Sequence, residues 1–237
     1  MRLVVHLDPV VRFKSGSRTG NPNPLTASLL LDNAGADGII VSPSGNLANK
    51  DIALIRSASN SHINVEIPVN QDSVRSALEV KPDMVTLIPE NGHESNGEVA
   101  TNGHAGLREY ISSLHAASVD VAIMISADLK SVKEARNLNA DAVSIDVSPF
   151  TAATNSSDAL YHLEGIESAS LAANKLGLQV SVFGGINDKN IANLVNLDTI
   201  DEIVLGHEFF ARALFLGLDR AFSDLREQVR YLSGRNS

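Results

Sequence analysis

Short, continuously apolar runs alternate along the chain with amphipathic stretches of helical length. The runs are rich in Val, Ile and Leu, and they do not alternate between apolar and polar positions. Continuous apolarity is typical of parallel strands that are covered on both faces. The pattern therefore predicts eight parallel strands: Leu3–Leu7, Gly38–Val41, Ile63–Ile67, Met84–Ile88, Val119–Ile125, Ala142–Asp146, Gln179–Phe183 and Glu202–Leu205.

The segments between these strands, and the last one after them, have helical periodicity. They predict nine helices: Leu25–Asn33, Lys50–Ser57, Asp72–Val80, Leu107–Ala117, Asp128–Asn137, Asp158–Leu176, Asp188–Leu194, Glu208–Leu216 and Leu218–Leu232. Eight strand–helix units in 237 residues fit an α/β chain folded as a single-domain (β/α)8 TIM barrel over 1–237, with an additional C-terminal helix. A doubly wound open sheet is the alternative, but the turn after the first strand has no glycine.

Composition narrows the class of protein. Hydrophobic residues make up 43% of the chain and aromatics 4%, with no Cys and no Trp. The net charge is −9, without a basic block, so we expect neither a nucleic-acid nor a membrane partner. The chain has no apolar run long enough to span a bilayer and no signal-peptide pattern, which predicts a cytoplasmic protein. No motif calls for a cofactor or a metal ion.

In a barrel of this kind, chemistry is carried by residues at the carboxyl ends of the strands. Glu66 stands near the end of the third strand in an otherwise apolar run. A buried carboxylate is costly unless it has partners, and such carboxylates are common proton-transfer groups. We therefore predict that Glu66 is a catalytic base, with a purely structural ion pair as the alternative.

Glycines follow the last two strands, at Gly184, Gly185 and Gly206. Their backbone N–H groups can approach a phosphate closely, and a helix that begins nearby adds a favourable dipole. His207 could donate a further hydrogen bond to the anion. The pattern predicts a site for inorganic phosphate or a phosphorylated small molecule; two ordinary tight turns are the alternative.

Other polar residues near the strand ends are less specific. His6 could transfer a proton or be a satisfied core histidine. The cations Arg12, Lys14 and Arg18 fall in a predicted loop, Arg12–Pro24, and could bind an anion or belong to an ordinary solvated loop. Asp8, Glu66 and Asp146 could in principle hold a divalent ion, but no spaced ligand motif supports a metal site. No lysine ends a strand, which argues against Schiff-base chemistry. The polar stretch 90–106 after the fourth strand is predicted to be a loop that covers the site.

Several motifs in a fixed order suggest a family. They are Val5–Asp8, Pro22–Pro24, Ala34–Ile39, Asn64–Glu66, Leu87–Glu90, Leu176–Val180 and Ile203–His207. In this order and spacing the chain resembles the pyridoxine 5′-phosphate synthases. The resemblance implies a barrel enzyme that condenses deoxyxylulose 5-phosphate with 3-amino-2-oxopropyl phosphate, releasing phosphate and water. It also implies a homo-oligomer, an octamer in that family.

The resemblance assigns roles to individual positions. It makes Asp8 and Glu66 active-site carboxylates, and Gly206 with His207 a phosphate site. It also implies a substrate-binding Thr101 in the loop after the fourth strand. Arg18 matches a family arginine after a one-residue slip in the alignment.

Several positions depart from the family pattern. Catalytic histidines of the family correspond to Ser42 and Gly184 here, and a family asparagine corresponds to His6. Because an acid–base group contributes ~10²–10⁴-fold to a rate, we expect the standard reaction to be slow or absent. The leading hypothesis is an enzyme of this type or one catalysing a related condensation. A catalytically inactive phosphate-binding paralogue that acts as a binding or assembly protein is the alternative.

Overall fold

The structure is a computed structural model that describes residues 1–43, 47–89 and 106–234. Eight strands pair in chain order, all parallel, and β8 closes on β1 to form a barrel. The strands are β1 Arg2–His6, β2 Gly38–Val41, β3 His62–Pro68, β4 Met84–Ile88, β5 Asp120–Ile125, β6 Ala142–Asp146, β7 Gln179–Phe183 and β8 Glu202–Leu205. The predicted (β/α)8 barrel is confirmed.

Helices surround the barrel. Those in the described residues are α1 Asp8–Ser15, α2 Pro24–Ala34, α3 Asn49–Ala58, α4 Gln71–Val80, α5 Leu107–Ala116, α6 Leu129–Asn137, α7 Ser148–Thr151, α8 Ser156–Lys175, α9 Ile191–Val195, α10 His207–Leu216 and α11 Leu218–Ser233. The predicted additional C-terminal helix is α11, which packs against α2, α9 and α10. No helix among these is long and apolar enough to cross a membrane.

Two of the helices were not predicted, and both lie directly after barrel strands. The segment from Arg12 was expected to be loop, whereas Asp8–Ser15 forms α1, with a proline in its first turn and Asp8 at its positive end. The short α7 likewise begins just after β6. Both start within two residues of a strand end, so they carry their first residues into the carboxyl end of the barrel.

A repeated hydrogen bond fixes the strand register at the amino end of the barrel. An aspartate just before each even-numbered strand accepts the backbone N–H of a residue at or near the start of the preceding odd-numbered strand. The four bonds are each 2.8 Å long and run from Leu3 to Asp37, from Ile63 to Asp83, from Val121 to Asp141 and from Val180 to Asp201. The same hydrogen bond therefore occurs once in each of four strand pairs: β1–β2, β3–β4, β5–β6 and β7–β8.

The main hydrophobic core lies between the strands and the surrounding helices. The barrel interior has smaller apolar clusters, one of Val4, Ile40 and Val204 and another of Met84, Ala122 and Ala142. Polar side chains share this interior, because alternate residues of a strand face the barrel axis. Buried polar residues on the barrel strands are Asn64, Glu66, Thr86, Ser144 and Glu202.

Candidate functional site

A cavity of about 270 Å³ opens at the carboxyl end of the barrel. Seven of the ten predicted site residues line it: His6, Asp8, Glu66, Gly184, Gly185, Gly206 and His207. Other lining side chains come from β4, β6 and α1, including Thr86, Ser144, Asp146, Ser148 and Arg12. The barrel thus brings residues from β1, β3, β7 and β8 to one place, as expected because the carboxyl ends of all its parallel strands meet at one end of the barrel.

His6 stands between two carboxylates in this cavity. Its Nε2 is 3.5 Å from Glu66 Oε1, and its Nδ1 is 3.7 Å from Asp8 Oδ1. The backbone N–H of Asp8 donates to Nδ1 at 3.3 Å, because β1 ends at His6 and α1 begins at Asp8. In a neutral imidazole, this bond leaves the ring proton on Nε2, which faces Glu66.

The two carboxylates determine the charge of His6. Burial lowers the pKa of His6, but the Glu66 charge, the Glu66 hydrogen bond and the Asp8 charge raise it, against a smaller opposing effect of Arg12. The net result is a pKa above the ordinary value of 6.5. The side chains of His6 and Glu66 are only 12% and 7% exposed, so water screens their interaction weakly. His6 and Glu66 therefore form a coupled pair able to hold or move a proton.

A second pair of polar side chains lies beside Glu66. Asn64 and Thr86 hydrogen-bond to each other, with Asn64 Nδ2 2.8 Å from Thr86 Oγ1. Both are buried, and Thr86 is the register partner of Glu66 in the β3–β4 ladder. The sequence predicted no site role for Asn64, which entered only as part of a family motif, or for Thr86 and Ser144. A polar residue at an inward position of an apolar strand was the available signal.

In the glycine turn after β7, two backbone N–H groups point away from the side chains that hydrogen-bond to the turn. Thr151 Oγ1 donates to the Gly184 carbonyl at 3.0 Å, and Asn190 Nδ2 donates to the Gly185 carbonyl at 3.0 Å. Since these peptides are trans, the N–H groups of Gly185 and Ile186 point opposite to the bonded carbonyls. Neither amide donates to an acceptor among the described residues, so both remain able to bind an anion.

The amino terminus of α10 completes that side of the cavity. Gly206 precedes the helix, and His207 and Glu208, both exposed, are its first two residues. A Cβ added at Gly206 would meet no atom within 4 Å, so space is open at this position. First-turn amides of a helix have no intrahelical acceptor, and with the dipole they favour an anion.

Gly184 stands where a side chain cannot fit. Its φ is +109°, and a Cβ there would lie 2.3 Å from Ser148 Oγ and 2.8 Å from Asp146 Oδ1. Asp146 and Ser148 hydrogen-bond to each other, so the space next to Gly184 is filled by a carboxylate and a hydroxyl from the β6–α7 junction.

Three predicted site residues are not among those lining the cavity. Arg18 is exposed after the end of α1, and it is Arg12, within that helix, that reaches the cavity. Ser42 is half-buried at the end of β2, and its Oγ has no hydrogen-bond partner within the described part of the chain. Thr101 and most of the predicted covering loop lie outside the described residues. No three His, Asp or Glu side chains described here are arranged to hold a metal ion.

This fold and cavity define a (β/α)8-barrel protein whose cavity is lined by a buried glutamate–histidine pair and by a glycine turn with two backbone amides that have no acceptor among the described residues. The chain matches the family described as "Pyridoxal phosphate biosynthesis protein PdxJ" over residues 3–231. It belongs to that family, which confirms the resemblance found in the sequence.

Two relatives of similar length carry the same name. The chain is 30% identical to a pyridoxine 5′-phosphate synthase of Synechococcus sp., covering 97% of this chain and 98% of that protein. It is 31% identical to one of Geobacter sulfurreducens, covering 97% and 99%. These names are names of enzymes, in agreement with the enzyme hypothesis.

Solved structures of lower sequence similarity share the fold. One, titled as a 4-hydroxy-2-oxoglutarate aldolase/2-deydro-3-deoxyphosphogluconate aldolase, superposes with a TM-score of 0.64 at 13% identity, covering 98% of this chain and 94% of that one. At this identity the likeness concerns the barrel alone.

Proposed function

We propose that the chain condenses an amino-ketone phosphate with a deoxypentulose phosphate, or carries out a related amine–carbonyl condensation of phosphorylated substrates. Family membership and the names of the relatives support this reaction class. The observation that carries the proposal is the arrangement of Glu66, His6 and Asp8 in one cavity with the unpaired amides of the β7 turn.

Glu66 would transfer protons in this reaction. Joining an amine to a carbonyl and losing water requires protons to leave nitrogen or carbon and to reach the departing oxygen. Glu66 is the carboxylate closest to His6 Nε2, so the two can share one proton and return it to the substrate in a later step. Asp8 would hold the imidazole from its other side.

The phosphate group would bind across the cavity from this pair. The N–H groups of Gly185 and Ile186 and the amino terminus of α10 supply donors without adding positive side chains. Arg12 and His207 reach the same cavity and could add charge-assisted or neutral hydrogen bonds.

Turnover of the standard substrates would be slower than in relatives that keep both family histidines. Ser42 offers a hydroxyl that is a poor base near neutral pH, and Gly184 offers no side chain. The remaining pair of Glu66 and His6 would supply the proton transfers at the other side of the cavity.

An assay of the purified protein with deoxyxylulose 5-phosphate and 3-amino-2-oxopropyl phosphate tests the reaction. We expect pyridoxine 5′-phosphate and free phosphate to appear, at a rate well below that of a relative assayed beside it. Binding of either phosphate without any product would contradict the standard condensation. Failure of other phosphorylated amine and carbonyl pairs to react as well would contradict the proposal and favour the inactive phosphate-binding paralogue.

The phosphate site has a separate test. Gly206→Ala places a methyl group in open space, so the fold is expected to persist while phosphate affinity falls several-fold. Gly165→Ala, inside α8 with only an ordinary contact to its new Cβ, is the control and should bind phosphate normally. Equal affinity in both variants would contradict an anion site at Gly206.

Assembly and location follow from the family and remain proposals. We propose a homo-oligomer, to be measured by light scattering on the purified protein, and a cytoplasmic location.

A further inference from the structure

Asp146 is a carboxylate of the same cavity that the proton-transfer pair does not use. It ends β6 and is half-buried among the lining residues. The backbone N–H of Ser148 donates to its Oδ1 at 2.8 Å, and Ser148 Oγ donates to the same oxygen at 2.5 Å. Both bonds fix the carboxylate through one oxygen and leave Oδ2 available to a ligand.

Asp146 also differs from Glu66 and Asp8 in the charged side chains around it. Glu66 and Asp8 both face His6. Asp146 has no cationic side chain within 4 Å in the described part of the protein. The cavity therefore holds a carboxylate without a countercharge from the described residues, and a ligand cation would supply one.

The backbone next to Asp146 is shaped around it. Any side chain at Gly184 would overlap Ser148 Oγ and approach Asp146 Oδ1 to 2.8 Å. The turn after β7 therefore accommodates the Asp146–Ser148 pair only because position 184 is glycine. The same turn carries the amides of Gly185 and Ile186, which favour an anion.

From this juxtaposition we propose that Asp146 is a specificity-determining residue. Its Oδ2 binds the cationic amino group of a substrate whose phosphate lies on the β7 turn, and Ser148 is the positioning residue that aims the carboxylate. The inference rests on the proposed function, since it assigns a partner to the amine of a phosphorylated substrate. It predicts selection for phosphates that carry an ammonium group on a short carbon chain.

Two matched probes test the selection. O-Phosphoethanolamine and propyl phosphate have the same number of heavy atoms in the chain and differ in an ammonium versus a methyl end. Calorimetric titration of the wild-type protein should show at least about tenfold tighter binding of the ammonium probe, the size expected for a charged hydrogen bond in a part-buried site.

Variants assign that preference to Asp146. Asp146→Asn should abolish it while leaving propyl phosphate affinity within about twofold, and Ser148→Ala should reduce it several-fold. Glu208→Gln removes an exposed carboxylate of the same cavity and should retain the preference. Circular dichroism and thermal unfolding check that each variant is folded.

The outcomes separate the two proposals. Equal binding of the two probes to the wild type, or an undiminished preference in Asp146→Asn, would overturn the assignment of Asp146 and leave the phosphate site intact. Failure of both probes and of inorganic phosphate to bind would contradict the proposed function, and this inference with it.

Discussion

The two ends of the barrel both bury titratable side chains, but the net pKa shifts favour opposite charge states at the two ends. At the amino end, burial raises the pKa of Glu202 despite Arg2, whose Nη2 is 3.2 Å from Glu202 Oε2. Burial also lowers the pKa of His62. Both groups are pushed toward their neutral forms. At the carboxyl end, the pKa of His6 is raised, which favours its charged form.

The difference comes from the groups that the carboxylates contact at each end. At the amino end, four aspartates accept backbone N–H groups of the strands and thereby fix the strand register. They are Asp37, Asp83, Asp141 and Asp201. At the carboxyl end, Glu66 and Asp8 face one imidazole beside an open cavity. The amino end therefore stabilises the barrel, while the carboxyl end maintains a charged pair in reach of a ligand.

The largest effect expected from this contrast is on turnover. Glu66 and Glu202 are both buried glutamates on barrel strands, so Glu66→Gln and Glu202→Gln form a matched pair. We expect Glu66→Gln to lower the rate of product formation by ~10²–10⁴-fold, because it removes a proton-transfer group. Glu202→Gln should leave the rate within a few-fold of wild type; a comparable loss in both variants would contradict the division between the ends.

A smaller effect is expected on stability at the β7 turn. Gly184→Ala combines an unfavourable positive φ, ~1–3 kcal/mol, with an overlap against Ser148 that adds ~1–3 kcal/mol. Gly177→Ala has a φ of +75° but meets nothing within 4 Å, so only the first cost applies. Denaturant unfolding of the two variants should differ by at least ~1 kcal/mol, and equal stabilities would show that the turn relaxes without cost.

The pH dependence of stability should have opposite signs for the two histidines. The folded pKa of His6 is raised, so its stabilisation is full below pH 6.5 and is lost as the pH rises through the folded pKa. The folded pKa of His62 is lowered, so its unfavourable contribution is full at pH values below that folded pKa and disappears as the pH rises to 6.5.

Unfolding free energies of His6→Gln and His62→Gln across pH 5–9 measure this difference. The wild-type advantage over His6→Gln should shrink as the pH rises, by about 1.4 kcal/mol for each unit by which the folded pKa exceeds the unfolded one. The advantage over His62→Gln should grow. Parallel pH profiles for the two variants would be incompatible with opposite shifts.

The fold was predictable because buried parallel strands are continuously apolar. The strand bounds agree with the sequence prediction to within about one residue at most ends, and Gly38–Val41, Met84–Ile88, Ala142–Asp146, Gln179–Phe183 and Glu202–Leu205 agree at both ends. The missed α1 begins Asp-Pro, a pair that occurs both in turns and at the start of helices.

The site was predictable where a single residue contrasted with its neighbours. Glu66 stood out as one carboxylate in an apolar strand, and the glycines stood out after β7 and β8. The contact of Gly184 with Asp146 and Ser148 joins residues far apart in sequence, and no local pattern reports it. Likewise, Arg12 reaches the cavity only because the residues after β1 are helical.

Titration of the imidazole rings by NMR tests the central claim most directly, since it measures the charge of the pair that is proposed to move protons. In the wild type, His6 should titrate above 6.5 and His62 below it. In Glu66→Gln, the pKa of His6 should fall markedly while that of His62 stays the same. A His6 pKa at or below 6.5 in the wild type, or one that Glu66→Gln leaves unchanged, would contradict a coupled Glu66–His6 pair.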